Sequence, residues 1–399
     1  MKRETWITGI GILSCLGEGP KAHWQALADG KVGFDTVSYP PYIVHPLPAM
    51  SFDAQIPKKG DQRQMEPWQR IGVYAAGLAL DSAGVKGNAE ILGRMDMIVA
   101  AGGGERDLTV DGAILSGFPK ASAKLGEHDR FLNERLMSDL RPTLFLAQLS
   151  NLLAGNISIV HGVTGSSRTF MGEESAGVDA VRIALASIGA GQSDIALVGG
   201  AQNSERKEML MLYEFGSFAL KGAFRPVWDR AASPGFALGS MGAFLVLEAS
   251  EHARARGAKP VARLAAVLNA RSSREPGAVT AALARLWATL PAVHPDCAMI
   301  SGASGASSAT TEERVFLDAH ADFAVRATGT RIGHGVEPQF AMNIALAAMA
   351  VERRALFPPC DPSEGGGTGA PTQAVVTGVG HWRGEGLALV EAVELGQLD

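Results

Sequence analysis

Few residues in this 399-residue chain have the type and spacing to do chemistry on their own. Cys15, Cys297 and Cys360 form no CxxC pair and no zinc-ligand spacing, so they are expected as buried thiols. His45 stands in a Pro- and Tyr-rich stretch, 40–48, with no second metal ligand at useful spacing. Lys58, Lys59 and Arg63 form a small basic cluster of the kind that usually faces solvent and can also meet an acidic partner. Glu105-Arg106-Asp107 follow three consecutive glycines and read as a solvated turn unless something is packed over them.

The elements that must position such residues are clearer. Short apolar runs at 5–12, 96–104, 194–200, 298–305 and 374–380 end in glycine-rich turns, the last of them closing the chain. Continuous apolar runs of this length, with β-branched residues, read as strands buried on both faces. Helical periodicity appears at 68–83, 175–189 and 339–355. The order repeats: a strand, a helix rich in Ala, Gly and Ser, and another strand occur once around 96–198 and again around 298–377. Helices with so small a surface pack closely against sheets. The pattern predicts a duplicated α/β/α/β/α fold of five layers, with two central helices between two sheets. Its halves are 1–250 and 251–399, forming one compact unit. An ordinary doubly wound sheet is the competing arrangement.

Hydrophobic residues make up 46% and charged ones 19%, which suits a globular chain with a large core. The net charge of −5 gives no support to nucleic-acid binding. Met1-Lys2-Arg3 and the apolar run after them imitate a signal peptide, but Glu4, Gly9 and Gly11 interrupt it and no small-residue cleavage site follows. No run approaches the ~20 apolar residues that span a bilayer. A reducing, cytoplasmic setting without membrane insertion is expected.

Several segments, taken in order, resemble the elongating β-ketoacyl-acyl-carrier-protein synthases of the thiolase superfamily. Thr8-Gly-Ile-Gly-Ile-Leu-Ser14 is similar to their TGxGxxS opening, and Pro57-Lys-Lys with Arg63 and Met65 to their PKK…R.M stretch. Gly177 and the helix after it, then 194–201, resemble the nucleophile helix and the strand ending GGA. Arg225-Pro226, Asp229, Gly235-Phe236, Gly239 and Leu245-Val-Leu-Glu248 resemble RPxD…GFxxGxGAGxLVLE, with Ser240-Met241 departing from it. Members of that family hold a Cys at the head of the first buried helix, where the helix dipole and free amides favour a thiolate. Two histidines then hydrogen-bond the malonyl thioester carbonyl, and two backbone amides form an oxyanion hole.

Carried onto this chain, the resemblance puts Glu174 in the cysteine position and Ser304, of Ser304-Gly305-Ala306, in the first histidine position. His334 retains the second histidine, while the lysine five residues before it is Gly329, and Arg331 is a partial substitute. The gating turn reads Gly378-Val379-Gly380-His381, so Val379 and Gly380 are candidate substrate contacts; Phe170 and Met171, before the helix, can line an acyl pocket or simply fill the core. Glu105 and its neighbours would lie near the dimer interface and the far end of that pocket. A carboxylate cannot hold an acyl group as a thiol does, so Glu174 is expected to fill its own site and pair with His334; an ordinary helix-capping acid, with Glu173 in the pocket, is the plainer alternative.

The resemblance therefore implies a cysteine-less, chain-length-factor-like subunit that needs no cofactor. It would act on an acyl carrier protein, as a homodimer or a heterodimer with a cysteine-bearing ketosynthase. Among such relatives it is most similar to homologues in bacterial gene sets that build very-long-chain acyl groups for lipid A. Two other readings are a malonyl-carrier decarboxylase and a homodimer that binds acyl carriers without catalysis.

Overall fold

A computed structural model describes residues 3–118, 124, 126–141, 144, 148–365 and 369–394. Its longer strands are β1 (Thr5–Ser14), β2 (Asp96–Ala100), β3 (Ser167–Phe170), β4 (Ile195–Gln202) and β5 (Met241–Ala249), then β6 (Ala262–Ala270), β7 (Ala298–Ser301), β8 (Ala324–Ala327), β9 (Gln373–Val379) and β10 (Glu385–Glu391). The helices that matter below are α1 (Pro67–Ser82), α2 (Leu152–His161), α3 (Glu173–Gly189), α4 (Lys207–Phe215), α5 (Ala278–Trp287), α6 (Ser307–Asp318) and α7 (Gln339–Arg353).

The strands run in the order β8-β7-β9-β10-β6-β1-β5-β4-β2-β3. The half β3-β2-β4-β5-β1 and the half β8-β7-β9-β10-β6 have the same topology in the same chain order. In each, the inner pairings are antiparallel and the outer ones parallel. The halves meet where β1 pairs with β6 through Trp6–Arg263 and Ile7–Ala262. The two sheets expected as separate layers are thus stitched into one hydrogen-bonded path.

Strand alternation builds the layers. Ile98 and Ala100 of β2 join the core of α3 and α7, while Met97 and Val99 face the core under α1 and α2. Likewise Ala374 and Val376 of β9 face α3 and α7, and Val375 and Val379 face α5 and α6. The result is helix, sheet, paired helices, sheet, helix. Small residues make the close approaches possible: a Cβ on Gly177 of α3 would lie 2.2 Å from the Glu337 carbonyl oxygen, and one on Gly11 of β1 2.0 Å from that of Ala75 in α1.

The run at 374–380 does not end the chain. A turn through Gly384, at φ 87°, sends it back as β10, which pairs antiparallel with β9 from Val379–Glu385 to Gln373–Glu391. Among the described residues, no helix is long and apolar enough to cross a membrane.

Candidate functional site

Gly172, at φ 131°, leads out of β3, and Glu173 adopts a left-handed φ of 62° before α3 begins its regular turns. For a side-chain-bearing residue that conformation costs roughly 1–2 kcal/mol. It turns the head of α3 inward, so that Glu174 is 4% exposed. Three donors converge on its Oε1: His334 Nε2 at 2.7 Å, His381 Nδ1 at 2.9 Å and the His381 backbone N–H at 3.2 Å. Oε2 also accepts from His381 Nδ1, at 3.1 Å. Both rings are buried. His334 is pinned through its backbone, which donates to the Ala237 carbonyl and accepts from Gly239 N–H.

Aromatic rings close over this cluster. Phe218 lies 4.7 Å, Phe236 5.4 Å and Tyr213 5.5 Å from the His381 ring, and Phe236 is 5.0 Å from His334. The turn carrying His381 is tied from the other side by Arg274, which donates to the Gly380 carbonyl at 2.5 Å and to Glu385 at 2.7 Å. A 420 Å³ cavity opens at the head of α6, lined by Trp228, Arg230, Ser307 and Arg314, and not over Glu174.

Burial alone would raise the Glu174 pKa, but the charge of His381 and the hydrogen bonds from His334 and His381 outweigh it and hold the carboxyl well below the usual range. Burial lowers and Glu174 raises the His381 pKa, and the net direction is up. The head of α3 adds its dipole, worth about 0.3–1 kcal/mol for an anion there. The arrangement is a buried anion with its own counter-charges.

Glu337 is a second buried acid here. A Cβ on Gly102 would lie 2.8 Å from its Oε1, and no side chain among the described residues hydrogen-bonds its carboxyl. Burial raises its pKa from the ordinary 4.5 to about 7, with Glu174 and Glu173 adding to the effect and Arg206 opposing it. Between those values the folded chain holds the proton more tightly than the unfolded one, so this group lowers stability as pH rises through that window. Glu337→Gln is therefore expected to match the parent chain near pH ~4 and to exceed it near pH ~8 by up to about 3 kcal/mol. Denaturant titration at both pH values checks this; equal differences at the two would contradict it.

The structure brings Glu174 and His334 together as expected, and adds His381 and Glu337, which motif matching passed over. His381 was visible only as the last residue of the gating turn, and Glu337 only as a lone acid three residues after His334. Gly380 abuts the site: a Cβ there would lie 3.3 Å from Glu174 Oε2.

The other candidate residues make other contacts. The Ser304 hydroxyl accepts from Ala306 N–H at 3.1 Å, and its carbonyl is held by Arg230; no hydrogen bond joins it to Glu174, His334 or His381. Val379 follows the alternation of β9 into the outer core under α5 and α6, away from Glu174. Met171 faces solvent, and Phe170 packs against the central core. Arg331 does not replace the lysine, because its guanidinium is spent on the Gly30 and Pro359 carbonyls. Glu173 is partly buried, with Oε2 unpartnered, and does not reach His334. Glu105 is partly buried beside Asn203, whereas Arg106 pairs with Asp111 and Asp107 caps a helix. Lys59 pairs with Asp53.

Cys297 and Cys360 are buried and Cys15 partly so; burial pushes all three thiols up to about 12. None contacts Glu174 or His334; Cys15, for example, faces His45 and the Arg331 carbonyl. None of the three thiols belongs to the Glu174 cluster.

Residues 2–253, well over half of the chain, match the family model for the N-terminal domain of β-ketoacyl synthases. The chain belongs to the β-ketoacyl synthase family. It is 28% identical over 272 residues to 3-oxoacyl-[acyl-carrier-protein] synthase 2 of Vibrio cholerae serotype O1, covering 65% of this chain and 61% of that protein. It is 27% identical over 266 residues to the tetracenomycin polyketide synthase ketoacyl synthase beta subunit of Streptomyces glaucescens, covering 64% and 60%. The matched region thus spans about three-fifths of these relatives' lengths. The same fold is found in the ishigamide ketosynthase/chain length factor, with a TM-score of 0.80 at 18% identity over 99% of this chain and 100% of the other. The mixed sheet and its paired central helices are the thiolase-like ketosynthase fold.

Proposed function

We propose that this member of the family is a non-condensing, chain-length-factor-like subunit. It works beside a cysteine-bearing ketosynthase on carrier-bound acyl chains of fatty acid or polyketide-like synthesis. The observation that carries this reading is the buried Glu174 carboxylate, held by His334, His381 and the His381 N–H. Acyl transfer from a thioester to this oxygen would give a mixed anhydride, which lies uphill and hydrolyses readily. A backbone N–H of the kind that serves an oxyanion is already taken by the chain's own carboxylate.

The polyketide ketosynthase beta subunit among the relatives and the chain length factor among the fold neighbours support the role. Among the described residues β3 ends the sheet and pairs with β2 alone, which supports a two-fold partner pairing at that edge. The finer assignment is to cytoplasmic synthesis of very-long-chain acyl groups for lipid A.

The test is co-expression with each cysteine-bearing ketosynthase of the same cell, followed by affinity purification and size exclusion. A 1:1 complex with one of them is expected. A homodimer that ignores every synthase would contradict the reading, and acetyl-carrier formed from malonyl-carrier by the pure chain would replace it with decarboxylation.

A further inference from the structure

We infer that the cavity between α6 and the 227–234 segment is a phosphoryl-binding site. It takes inorganic phosphate, or the phosphate end of a small organic ester, on Arg230 and the free N–H groups at the head of α6. The site lies apart from the Glu174 cluster, and nothing in it depends on the non-condensing reading.

The cavity is a groove of 420 Å³ along one side of α6. Ser307, Thr310, Thr311, Arg314 and Val315 line it from the helix, at the three- and four-residue intervals of a single face. Trp228 and Pro234 line it from the facing segment. Its head is where α6 begins, and that end is uncapped, because the N-cap residue is Ala306. The backbone N–H groups of Ser307, Ser308 and Ala309 have no acceptor among the described residues, and the Ser307 hydroxyl has no partner. The Thr310 hydroxyl accepts from Gly305 N–H at 2.9 Å and keeps its own hydrogen for a ligand.

Arg230 adds a charge that calls for a counter-charge. It lines the groove at the same end, against Gly305, and is 2% exposed. Its Nε and Nη1 donate to the carbonyls of Arg225, Gly235 and Ser304, which is a structural role. Nη2 is left without an acceptor, and no carboxylate among the described residues pairs with the guanidinium; Asp361 offsets its charge only in part. A buried charge of this kind is costly, and an anion in the groove would lessen the cost. The acids of α6 are engaged elsewhere. Glu312 accepts from the first N–H groups of α5, Glu313 holds Ser301 and Thr377, and Asp318 pairs with Arg314. Among the lining residues Asp229 is acidic, and it is exposed to water.

Several N–H donors, two hydroxyls and a guanidinium gathered at a helix start suit the three oxygens of a phosphoryl group better than the two of a carboxylate. Beyond the head the walls turn apolar, through Trp228, Pro234 and Val315, and the Arg314 guanidinium lies 5.1 Å over the Trp228 ring. The groove therefore has room for an organic body behind the phosphate, since small-molecule sites occupy roughly 300–1,000 Å³.

The test uses the full chain with inorganic phosphate and with phenyl phosphate, in a phosphate-free chloride buffer, with affinity read by calorimetry. Saturable binding is expected. Tighter binding of phenyl phosphate assigns the site to an organic ester, and equal or weaker binding of it assigns the site to the free ion. Ser307→Pro removes one N–H at the first helical position, where proline is tolerated, and should weaken binding at least ~3-fold. Thr311→Glu puts a carboxylate on the groove face and should weaken it at least ~10-fold. Thr289→Glu, the same change at an exposed residue elsewhere, should alter nothing. Replacing Arg230 would also release three backbone carbonyls, so the decisive variants lie on α6, and circular dichroism confirms that they are folded. Three results overturn the inference: no saturable binding of either compound up to ~10 mM, an affinity unchanged in either α6 variant, or a loss equally large in Thr289→Glu.

Discussion

Glu174→Ala is expected to destabilise the chain by about 3–5 kcal/mol near pH ~6, the cost of removing one partner from a buried charge pair. The substitution strips His334 and His381 of their common acceptor while both stay buried. Its pH dependence has a definite sign. The Glu174 carboxyl is held below its ordinary 4.5, so its contribution is present above that value and is lost as pH falls through the lowered one. The His381 pKa is raised above its ordinary 6.5, so its share is complete below that value and is lost as pH rises through the raised one. The penalty of Glu174→Ala should therefore peak between about pH 5 and 6.5 and shrink on either side. Denaturant titration across pH measures it. A flat penalty below ~1 kcal/mol would reduce Glu174 to an ordinary helix-capping acid.

Glu174→Cys is expected to leave condensation at least ~10³-fold below that of a cysteine-bearing family member, because restoring the thiol restores one function of several. The helix dipole would favour a thiolate at that position. Decarboxylation of the malonyl group would still lack the first histidine of the pair, since Ser304 takes that position by resemblance and its hydroxyl, engaged by Ala306 N–H, lies outside the cluster. The lysine position is Gly329, and the nearby Arg331 is committed to backbone carbonyls. Glu337 would remain buried beside Gly102, close to the new thiol. A coupled assay with acyl-carrier and malonyl-carrier reads the rate; recovery to within tenfold would mean that the cysteine was the only missing part.

Much of this was legible in the residues. Small-residue helices between buried strands can only be central ones, and α3 and α7 are. Counting back from the GGA strand led to Glu174, which the structure holds buried at the head of α3. The turn after β9 was less legible: a chain reversal sets which of its side chains face inward, and neighbouring letters do not. Val379 followed the strand outward while His381, two residues later, swung in to Glu174. Ser304 stays outside the cluster for a related reason, since its side chain satisfies its own turn. The joining of β1 to β6 depends on how far two strand ends overlap, which an apolar pattern does not encode.

The central claim is that this polypeptide never carries an acyl group. Intact-mass spectrometry tests it most directly, after the purified chain, alone and with its synthase partner, is incubated with acyl-carrier donors. The mass of this chain is predicted to stay unchanged while the partner gains the acyl group. A covalent acyl adduct on this chain, mapped to any residue at the head of α3, would contradict the account.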